Sequence, residues 1–179
     1  ACEGIPVTLN GWVSVKRDLG GLIFIDLRDR YGITQLRISP EKKDIYEIAE
    51  KIGLESVISA QGTVIKRESV NKNIPTGDIE IDVEELQILN ESAVTPFVIE
   101  EDVKASEDLR LKYRYLDLRR NKLASNIEIR SKVYQSTRKY FEKLGFLEIE
   151  TPVLMKSTPE GARDYLVPSR VHKGSFYAL

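Results

Sequence analysis

The first ninety residues alternate between apolar and polar side chains over five short stretches. Alternation with a period of two predicts β-strands that bury one face. Clusters rich in glycine, proline and aspartate separate these stretches and indicate tight turns. Gly62, inside the fourth stretch, indicates a bend or bulge. The residues that share one face of each predicted strand are Val7, Leu9, Val13 and Val15; Ile23, Ile25 and Leu27; Thr34, Leu36 and Ile38; Ile58, Ala60, Gly62 and Val64; and Ile79, Ile81 and Val83, continued by Leu86 and Ile88.

A helix is predicted between the third and fourth strands. Ser39, Pro40 and Glu41 are typical of a helix N-terminus. The apolar residues over 45–52 have helical spacing, and Gly53 ends the pattern. Three strands, a helix and two strands follow one another in an OB-fold, a five-stranded barrel that binds oligonucleotides on its second and third strands. We therefore expect an all-β OB-fold barrel with one helix over residues 1–90.

The outer face of the second and third strands carries side chains suited to single-stranded nucleic acid. Phe24 lies opposite the apolar face of its strand, beside Asp26, and Gln35 and Arg37 point outward from the next strand. An aromatic ring stacks on a base, an amide reads a base edge, and a guanidinium meets phosphate. The alternative is an ordinary solvated face with one exposed aromatic residue, and the pattern alone leaves both open.

The remaining residues predict a linker, a long helix and a strand. Residues 91–120 begin as an acidic stretch without a period and end in Leu109–Arg120, which is both aromatic and basic. The alternative for that basic stretch is a short helix with solvated arginines. Lys122–Leu144 has a helical apolar stripe closed by a glycine. Phe146–Glu150 alternates as a strand, and Pro152 marks its end or edge.

Composition and charge narrow the function classes. The chain has 179 residues, 41% hydrophobic and 31% charged, with a formal net charge of −1. This composition is globular and provides no global positive field to attract nucleic acid. A single cysteine, Cys2, excludes an internal disulfide framework and fits a reducing compartment, which predicts a cytoplasmic location. No apolar run approaches the roughly 18 residues of a membrane span.

Motifs of common catalytic centres are absent from the sequence. His172 is the only histidine, and no Cys/His cluster accompanies it, which excludes a structural zinc site. Neither a GxxxxGKS/T nor a GxGxxG phosphate loop occurs. The residues do not complete an active site, and we expect neither a catalytic residue nor a metal site within the chain.

Several motifs resemble those of one enzyme family. Leu109–Arg120 followed by Phe146–Pro152 resembles the hinge and first signature motif of class II aminoacyl-tRNA synthetases. The run at 158–170, TPEGARDYLVPSR, is similar to that of bacterial-type aspartyl-tRNA synthetases. The stretches 11–13, 17–20 and 24–26 resemble the anticodon-binding barrel of the same family.

The resemblance implies a domain organisation and an activity. Residues 1–90 would form the OB-fold anticodon-binding barrel, 91–120 a linker or hinge, and 121–179 the truncated start of an α+β class II catalytic domain. The whole enzyme would attach L-aspartate to tRNA(Asp) through an aspartyl-adenylate, using ATP and Mg²⁺, as a homodimer. The second and third class II motifs would lie beyond Leu179, so we expect this chain alone to be inactive and to bind no cofactor.

The resemblance also implies residue roles in anticodon binding. Phe24 would stack on the middle uracil. Gln35, Asn71 and Glu80 would bond to base edges or sugar, and Arg17 would contact base or phosphate. Arg17 has the core parity of the first strand, so a bulge or strand end has to rotate it outward. The alternatives are a loop cap for Asn71 and a plain outward strand charge for Glu80.

Two further residues acquire roles in the same way. Glu160 falls where the family places an acid over the amino-acid pocket, where it would pair with the ammonium group of L-aspartate. Its alternative is a turn glutamate. Pro152 falls at the family's dimer interface, although it also serves as a strand end.

Other functions remain open at this stage. The barrel could belong to a related lysyl- or asparaginyl-tRNA synthetase. It could also be a single-strand-binding module without ligase activity, which would bind oligonucleotides of any sequence, or a paralogue that binds no RNA.

Overall fold

The computed structural model describes residues 3–158 and 163–179. Two compact units divide the chain, residues 1–124 and 125–179. Among the described residues, no helix has the length and apolar character needed to cross a bilayer. The elements are β1 (Pro6–Leu19), β2 (Leu22–Arg28), β3 (Ile33–Ile38), α1 (Lys43–Lys51), β4 (Val57–Lys66), β5 (Ile79–Asn90), α2 (Glu107–Lys112), α3 (Arg114–Asp117), α4 (Asn121–Lys143), β6 (Leu166–Pro168) and β7 (Phe176–Ala178).

The first five strands close into a barrel in the order β1-β2-β3-β5-β4. Neighbouring strands are antiparallel except β3 and β5, which pair in parallel. The predicted OB-fold is therefore confirmed. Closure removes sheet edges and encloses a core of aliphatic side chains. The fully buried members of that core include Val13, Ile25, Leu36, Ile38, Ile58 and Val83.

A bulge in β1 changes which of its side chains face the core. Val13 lies opposite Leu27, but Val15 lies opposite Asp26, so Ser14 is the extra residue. Val13 is fully buried, whereas Val15 is 39% exposed. The expectation that Val15 shares the core face was wrong, because one extra residue inverts the parity of all that follows. The same inversion turns Arg17 outward, opposite Phe24.

A second irregularity occurs where β4 pairs with β5. Gln61 lies opposite Glu85, but Gly62 lies opposite Val83, so Glu84 is the extra residue. Gly62 thus lies at a break in register, where the sequence predicted a bend or bulge. A Cβ at this position would collide with the carbonyl oxygen of Asp82. The close approach of the two backbones therefore requires glycine.

Helix α1 begins at Lys43, three residues after Pro40, where the sequence predicted its first turn with Ser39 as the cap. Ser39 caps a turn rather than the helix, since its carbonyl oxygen accepts from the Lys42 amide and its hydroxyl accepts from the Glu41 amide. At the other end, the Lys16 ammonium donates to the carbonyl oxygens of Glu50 (2.8 Å) and Ile52 (2.7 Å). A side chain from β1 therefore satisfies the helix C-terminus.

Helix α4 confirms the long helix predicted over 122–144. Gly145 ends it in the left-handed region, with φ of 79°. The Phe146 amide donates to the Phe141 carbonyl oxygen, and the two rings pack edge to face at 5.4 Å. A left-handed glycine, a returning hydrogen bond and an apolar contact together form a Schellman-type cap.

The strand predicted over Phe146–Glu150 does not form. Its side chains are exposed, with Leu147 86% accessible and Ile149 75%. A strand needs a hydrogen-bonding neighbour, and the described residues provide none for this segment. Alternation alone therefore predicted the wrong local structure. Nearby, β6 and β7 form a two-stranded antiparallel sheet.

We expect Gly62→Ala to lower the free energy of unfolding by about 1–3 kcal/mol, the usual cost of over-packing. The added methyl group meets backbone of the neighbouring strand, which can move aside only by breaking the register. Urea denaturation measures the effect. Gly53→Ala is the control, because its Cβ would lie 3.8 Å from the nearest atom. A change there should stay within about 0.5 kcal/mol, and equal effects at both glycines would contradict the packing argument.

Candidate nucleic-acid interface

A groove of about 290 Å³ lies on the outer face of the barrel. Strands β1, β2, β3 and β5 and the loop after β4 form its walls. The five residues predicted to bind the anticodon all line it: Arg17, Phe24, Gln35, Asn71 and Glu80. The tertiary structure thus brings together side chains from five segments of the barrel. Whether they bind an anticodon stays a prediction.

Phe24 lies on the outer face of β2, as the alternation predicted. Its neighbours along the strand, Ile23 and Ile25, point into the core and are buried. Across the strands it lies between Arg17 on β1 and Arg37 on β3. A half-buried ring flanked by two guanidinium groups can stack on a base while the cations approach its phosphates.

Gln35 lies at the floor of the groove and is only 6% exposed. Its Nε2 donates to the Glu80 carboxylate at 2.6 Å. Its Oε1 accepts from the guanidinium groups of Arg67 (2.8 Å) and Arg17 (3.4 Å). The two guanidinium groups and the carboxylate therefore fix the orientation of the amide, with Oε1 toward the arginines and Nε2 toward Glu80. One amide hydrogen beyond the Glu80 bond is left to donate to a ligand.

Glu80 is a buried carboxylate rather than a plain outward charge. It points away from the apolar core but is 5% exposed. A buried charge is stable only when it is paired or hydrogen-bonded, and Gln35 donates to it. Since an ionised carboxylate only accepts hydrogen bonds, its remaining lone pairs suit N–H groups of a base.

Arg17 is held on the outer face by Asp26. Its Nη2 lies 2.6 Å from the Asp26 carboxylate, which is partly covered. The ion pair places the Arg17 guanidinium beside Phe24. Because the Arg17 side chain stays 40% exposed, the guanidinium is still accessible to a ligand. The bulge or strand end that the sequence required for this residue is the bulge at Ser14.

Asn71 shapes the rim of the groove. Its side-chain Oδ1 accepts from the backbone amide of Asn73 at 3.0 Å. Its backbone amide donates to the Gly77 carbonyl oxygen, also at 3.0 Å. A Cβ at Gly77 would collide with the Asn71 carbonyl oxygen. Asn71 therefore caps the loop, as the alternative proposed, and lines the groove as well.

Arg67 lines the groove as well, although the sequence did not single it out. It follows β4, and its amide donates to the Asp78 carbonyl oxygen, which turns the chain toward β5. The partner of its side chain, Gln35, is 32 residues away. The sequence signal was a basic pair, Lys66 and Arg67, at the end of a strand, which is common on surfaces.

Charge is balanced in the groove. Among the described residues that line it, guanidinium and carboxylate groups are equal in number, and neutral polar side chains lie between them. Such a surface offers donors and acceptors for base edges, which carry sequence information that phosphates lack. The charged residues concerned are Arg17, Arg37 and Arg67, and Asp26, Glu68 and Glu80.

The other predicted sites lie outside this groove. Pro152 is exposed and belongs to the second unit. Glu160 lies outside the described residues. In the part of the chain that the structure describes, no group of three or more histidine, cysteine, aspartate or glutamate side chains is arranged to hold a metal ion.

Comparison with protein families finds one match for the barrel and another for the C-terminal part of the chain. Residues 7–89 match the OB-fold nucleic acid binding domain, and residues 106–179 match the class II tRNA synthetases for D, K and N.

Solved structures share the fold over most of the chain. An asparaginyl-tRNA synthetase from Pyrococcus horikoshii, complexed with asparaginyl-adenylate, superposes with a TM-score of 0.81 at 27% identity. It covers 99% of this chain, which in turn covers 40% of that one. A putative aspartyl-tRNA synthetase from Leishmania major superposes with a TM-score of 0.82 at 25% identity. The match covers 99% of this chain and 36% of the Leishmania chain.

Curated relatives are more similar in sequence. The aspartate–tRNA(Asp/Asn) ligase of Salinibacter ruber is 56% identical over 99% of this chain, and the aspartate–tRNA ligase of Streptococcus thermophilus is 55% identical over 98%. The chain spans 29% and 30% of the lengths of these relatives. With its barrel, its groove and these matches, the chain belongs to the aspartyl-tRNA synthetase family of class II aminoacyl-tRNA synthetases.

Proposed function

We propose that this chain is the anticodon-binding part of an aspartate–tRNA ligase, together with the start of its catalytic part. One observation carries the proposal. In a chain about 55% identical to such ligases, a single groove collects an outward aromatic ring, a fixed amide and a buried carboxylate. The whole protein would attach L-aspartate to tRNA(Asp) through an aspartyl-adenylate formed from ATP.

The groove suits unpaired nucleotides of an anticodon loop. Single-stranded RNA is recognised when its bases leave the stack, lie on aromatic side chains and bond through their edges. Phe24 would receive the middle base, and Arg17 and Arg37 on either side would meet base or phosphate. The groove would therefore bind a splayed loop rather than a duplex.

Two polar groups at the floor would read the bases. Glu80 can accept from N–H groups, and the remaining amide hydrogen of Gln35 can donate to a carbonyl oxygen. Since Arg67 and Glu80 hold the amide from both ends, Gln35 cannot flip to offer its oxygen instead. This fixed polarity supports selection of particular bases. It argues against the sequence-tolerant binding module, which needs only stacking and charge.

The catalytic part of the proposal concerns the whole protein. Class II synthetases act on ATP, and Mg²⁺ would neutralise its phosphates. Glu160 would pair with the ammonium group of L-aspartate. We place the enzyme in the cytoplasm, where tRNA is charged.

A homodimer is the proposed assembly. The segment around Pro152 exposes large apolar side chains, with Val153 75% accessible and Leu154 44%. Exposed apolar patches of this kind mark interaction sites. A second copy would cover the segment in an isologous contact.

We expect Phe24→Ala to weaken binding of an anticodon stem-loop carrying GUC by about 1–3 kcal/mol, the worth of one stacked base. A filter-binding titration measures the change. Tyr31→Ala is the matched control, since Tyr31 is an 88% exposed ring on the β2–β3 turn and does not line the groove. It should leave affinity unchanged. Equal affinity of Phe24→Ala and the unaltered chain would reject the stacking role.

We expect Glu80→Gln to weaken binding of the GUC stem-loop by about 1.5–3 kcal/mol, as when a hydrogen bond to a charged group is lost. Stem-loops with altered anticodons should lose less, so discrimination falls. The salt dependence of binding should not change, because no phosphate contact is removed. Glu85→Gln, at an exposed position of the same strand, serves as the control. Equal weakening for all anticodons would contradict base reading by Glu80.

We expect sedimentation velocity to show concentration-dependent dimerisation that Val153→Glu abolishes, because a charge would be buried in an apolar contact. Val94→Glu is the control, at a position that is 99% exposed in the first unit. A monomer at all concentrations, or equal effects of both variants, would count against the proposed interface.

A further inference from the structure

A second buried carboxylate, Glu55, lies outside the groove, just before β4. The residue is 9% exposed, and its side chain 7%. Glu55 does not line the candidate nucleic-acid groove, so anticodon binding does not account for it. Because burial of an isolated charge is costly, the partners of this carboxylate indicate what it does.

Two guanidinium groups converge on one oxygen of Glu55. Arg28, at the end of β2, donates from Nη2 to Oε2 at 2.6 Å. Arg119, which follows α3, donates from Nη1 to the same oxygen at 2.8 Å. The carboxylate therefore joins the barrel to a segment 64 residues further along the chain. Without it, two cations would face each other, and Arg28 is only 12% exposed.

The backbone at Glu55 is in an unusual conformation. Its φ is 63°, in the left-handed region, and it is the one non-glycine among the described residues with a positive φ. Glycine or asparagine would adopt this conformation more readily. Its amide donates to the Val13 carbonyl oxygen at 2.7 Å, beside the bulge of β1. A glutamate at such a position indicates that its side chain is needed there.

The partner Arg119 is itself held on the barrel by packing. Its guanidinium lies over the Trp12 ring, 5.0 Å from the ring centroid. Leu116, one turn earlier, is buried, and it shares a cleft with Trp12 and Val57. An ion pair, a cation–π contact and an apolar side chain thus fix the same short segment.

The segment that follows Arg119 is fixed as well. Arg120 donates to the carboxylate of Asp117, which is 1% exposed, and to the Glu101 carbonyl oxygen. Two residues after Arg119, α4 begins. Glu55 belongs to the part matched as OB-fold and Arg119 to the part matched as class II synthetase. The Glu55–Arg119 pair therefore bridges the two matched regions.

We propose that Glu55 is a positioning residue that holds the α3–α4 junction against the barrel, so that the first turn of α4 keeps a fixed place relative to the nucleic-acid groove. The inference goes beyond anticodon binding, and its readouts need no RNA. Its failure is therefore distinguishable from failure of the proposed function.

Pulsed electron–electron resonance on the whole chain tests the proposal. Spin labels at Gln61→Cys on β4 and Lys122→Cys in the first turn of α4, with Cys2→Ser, report the distance between barrel and junction. We expect one narrow distance distribution, which Glu55→Gln broadens about twofold because motions of this size become thermally accessible. Glu47→Gln, at an exposed position of α1, is the matched control and should leave the distribution unchanged.

Hydrogen exchange separates positioning from general stability. In Glu55→Gln, protection of the amides at 116–120 should fall about tenfold, whereas protection in the barrel strands stays within about twofold, as for local opening. Uniform loss of protection would assign Glu55 a merely structural role and overturn the proposal. An unchanged distance distribution would overturn it as well.

Two further variants keep the test decisive if Glu55→Gln folds poorly. Arg119→Met keeps the apolar stem over Trp12 but removes the charge, so it should broaden the distribution in the same way. Glu55→Asn suits the left-handed backbone but is too short to reach both guanidiniums. A narrow distribution in both variants would show that the carboxylate is not what holds the junction.

Discussion

One extra residue in β1 decides which of its side chains line the groove of this barrel. Side chains alternate between the two faces of a strand, so inserting Ser14 into the β1–β2 pairing moves every later residue of β1 to the opposite face. Arg17 thereby leaves the core and comes to lie beside Phe24. The Asp26 carboxylate then holds the guanidinium at 2.6 Å. Without the bulge a charged side chain would be directed into a core of aliphatic residues, at a cost of several kcal/mol (on the order of the penalty for an unpaired buried ion).

The groove that results is balanced in charge, which fits a chain whose formal net charge is −1. Long-range attraction of RNA would be weak for such a protein, so recognition would depend on contacts at short range. Glu80, Gln35, Arg67 and Arg17 form one connected network in which each polar group restricts the next. Hydrogen bonds of 2.6, 2.8 and 3.4 Å within this network hold the Gln35 amide in one orientation. A rigid set of donors and acceptors is what discrimination between bases requires.

The two compact units differ in how well they are packed. The barrel encloses a core of buried aliphatic side chains, whereas α4 has no buried residue and the segment after it exposes phenylalanine, leucine and isoleucine. The chain spans about 30% of the length of its curated relatives. Relatives at 56% and 55% identity carry different tRNA specificities in their names, which means that overall similarity does not separate tRNA(Asp) from tRNA(Asp/Asn) charging.

Local patterns in the sequence determined the strands, the long helix and the outward position of Phe24, because period-two and period-3.6 repeats depend on neighbours in the chain. The TPEGARDYLVPSR run and the barrel motifs were enough to indicate the family. Only the tertiary structure decided the rest, because it depends on pairing between distant segments. The Gln35–Glu80 bond joins residues 45 apart and Glu55–Arg119 residues 64 apart. The bulges at Ser14 and Glu84 exist only in relation to the opposing strand, and Phe146–Glu150 had the alternation of a strand but no neighbour among the described residues with which to form one.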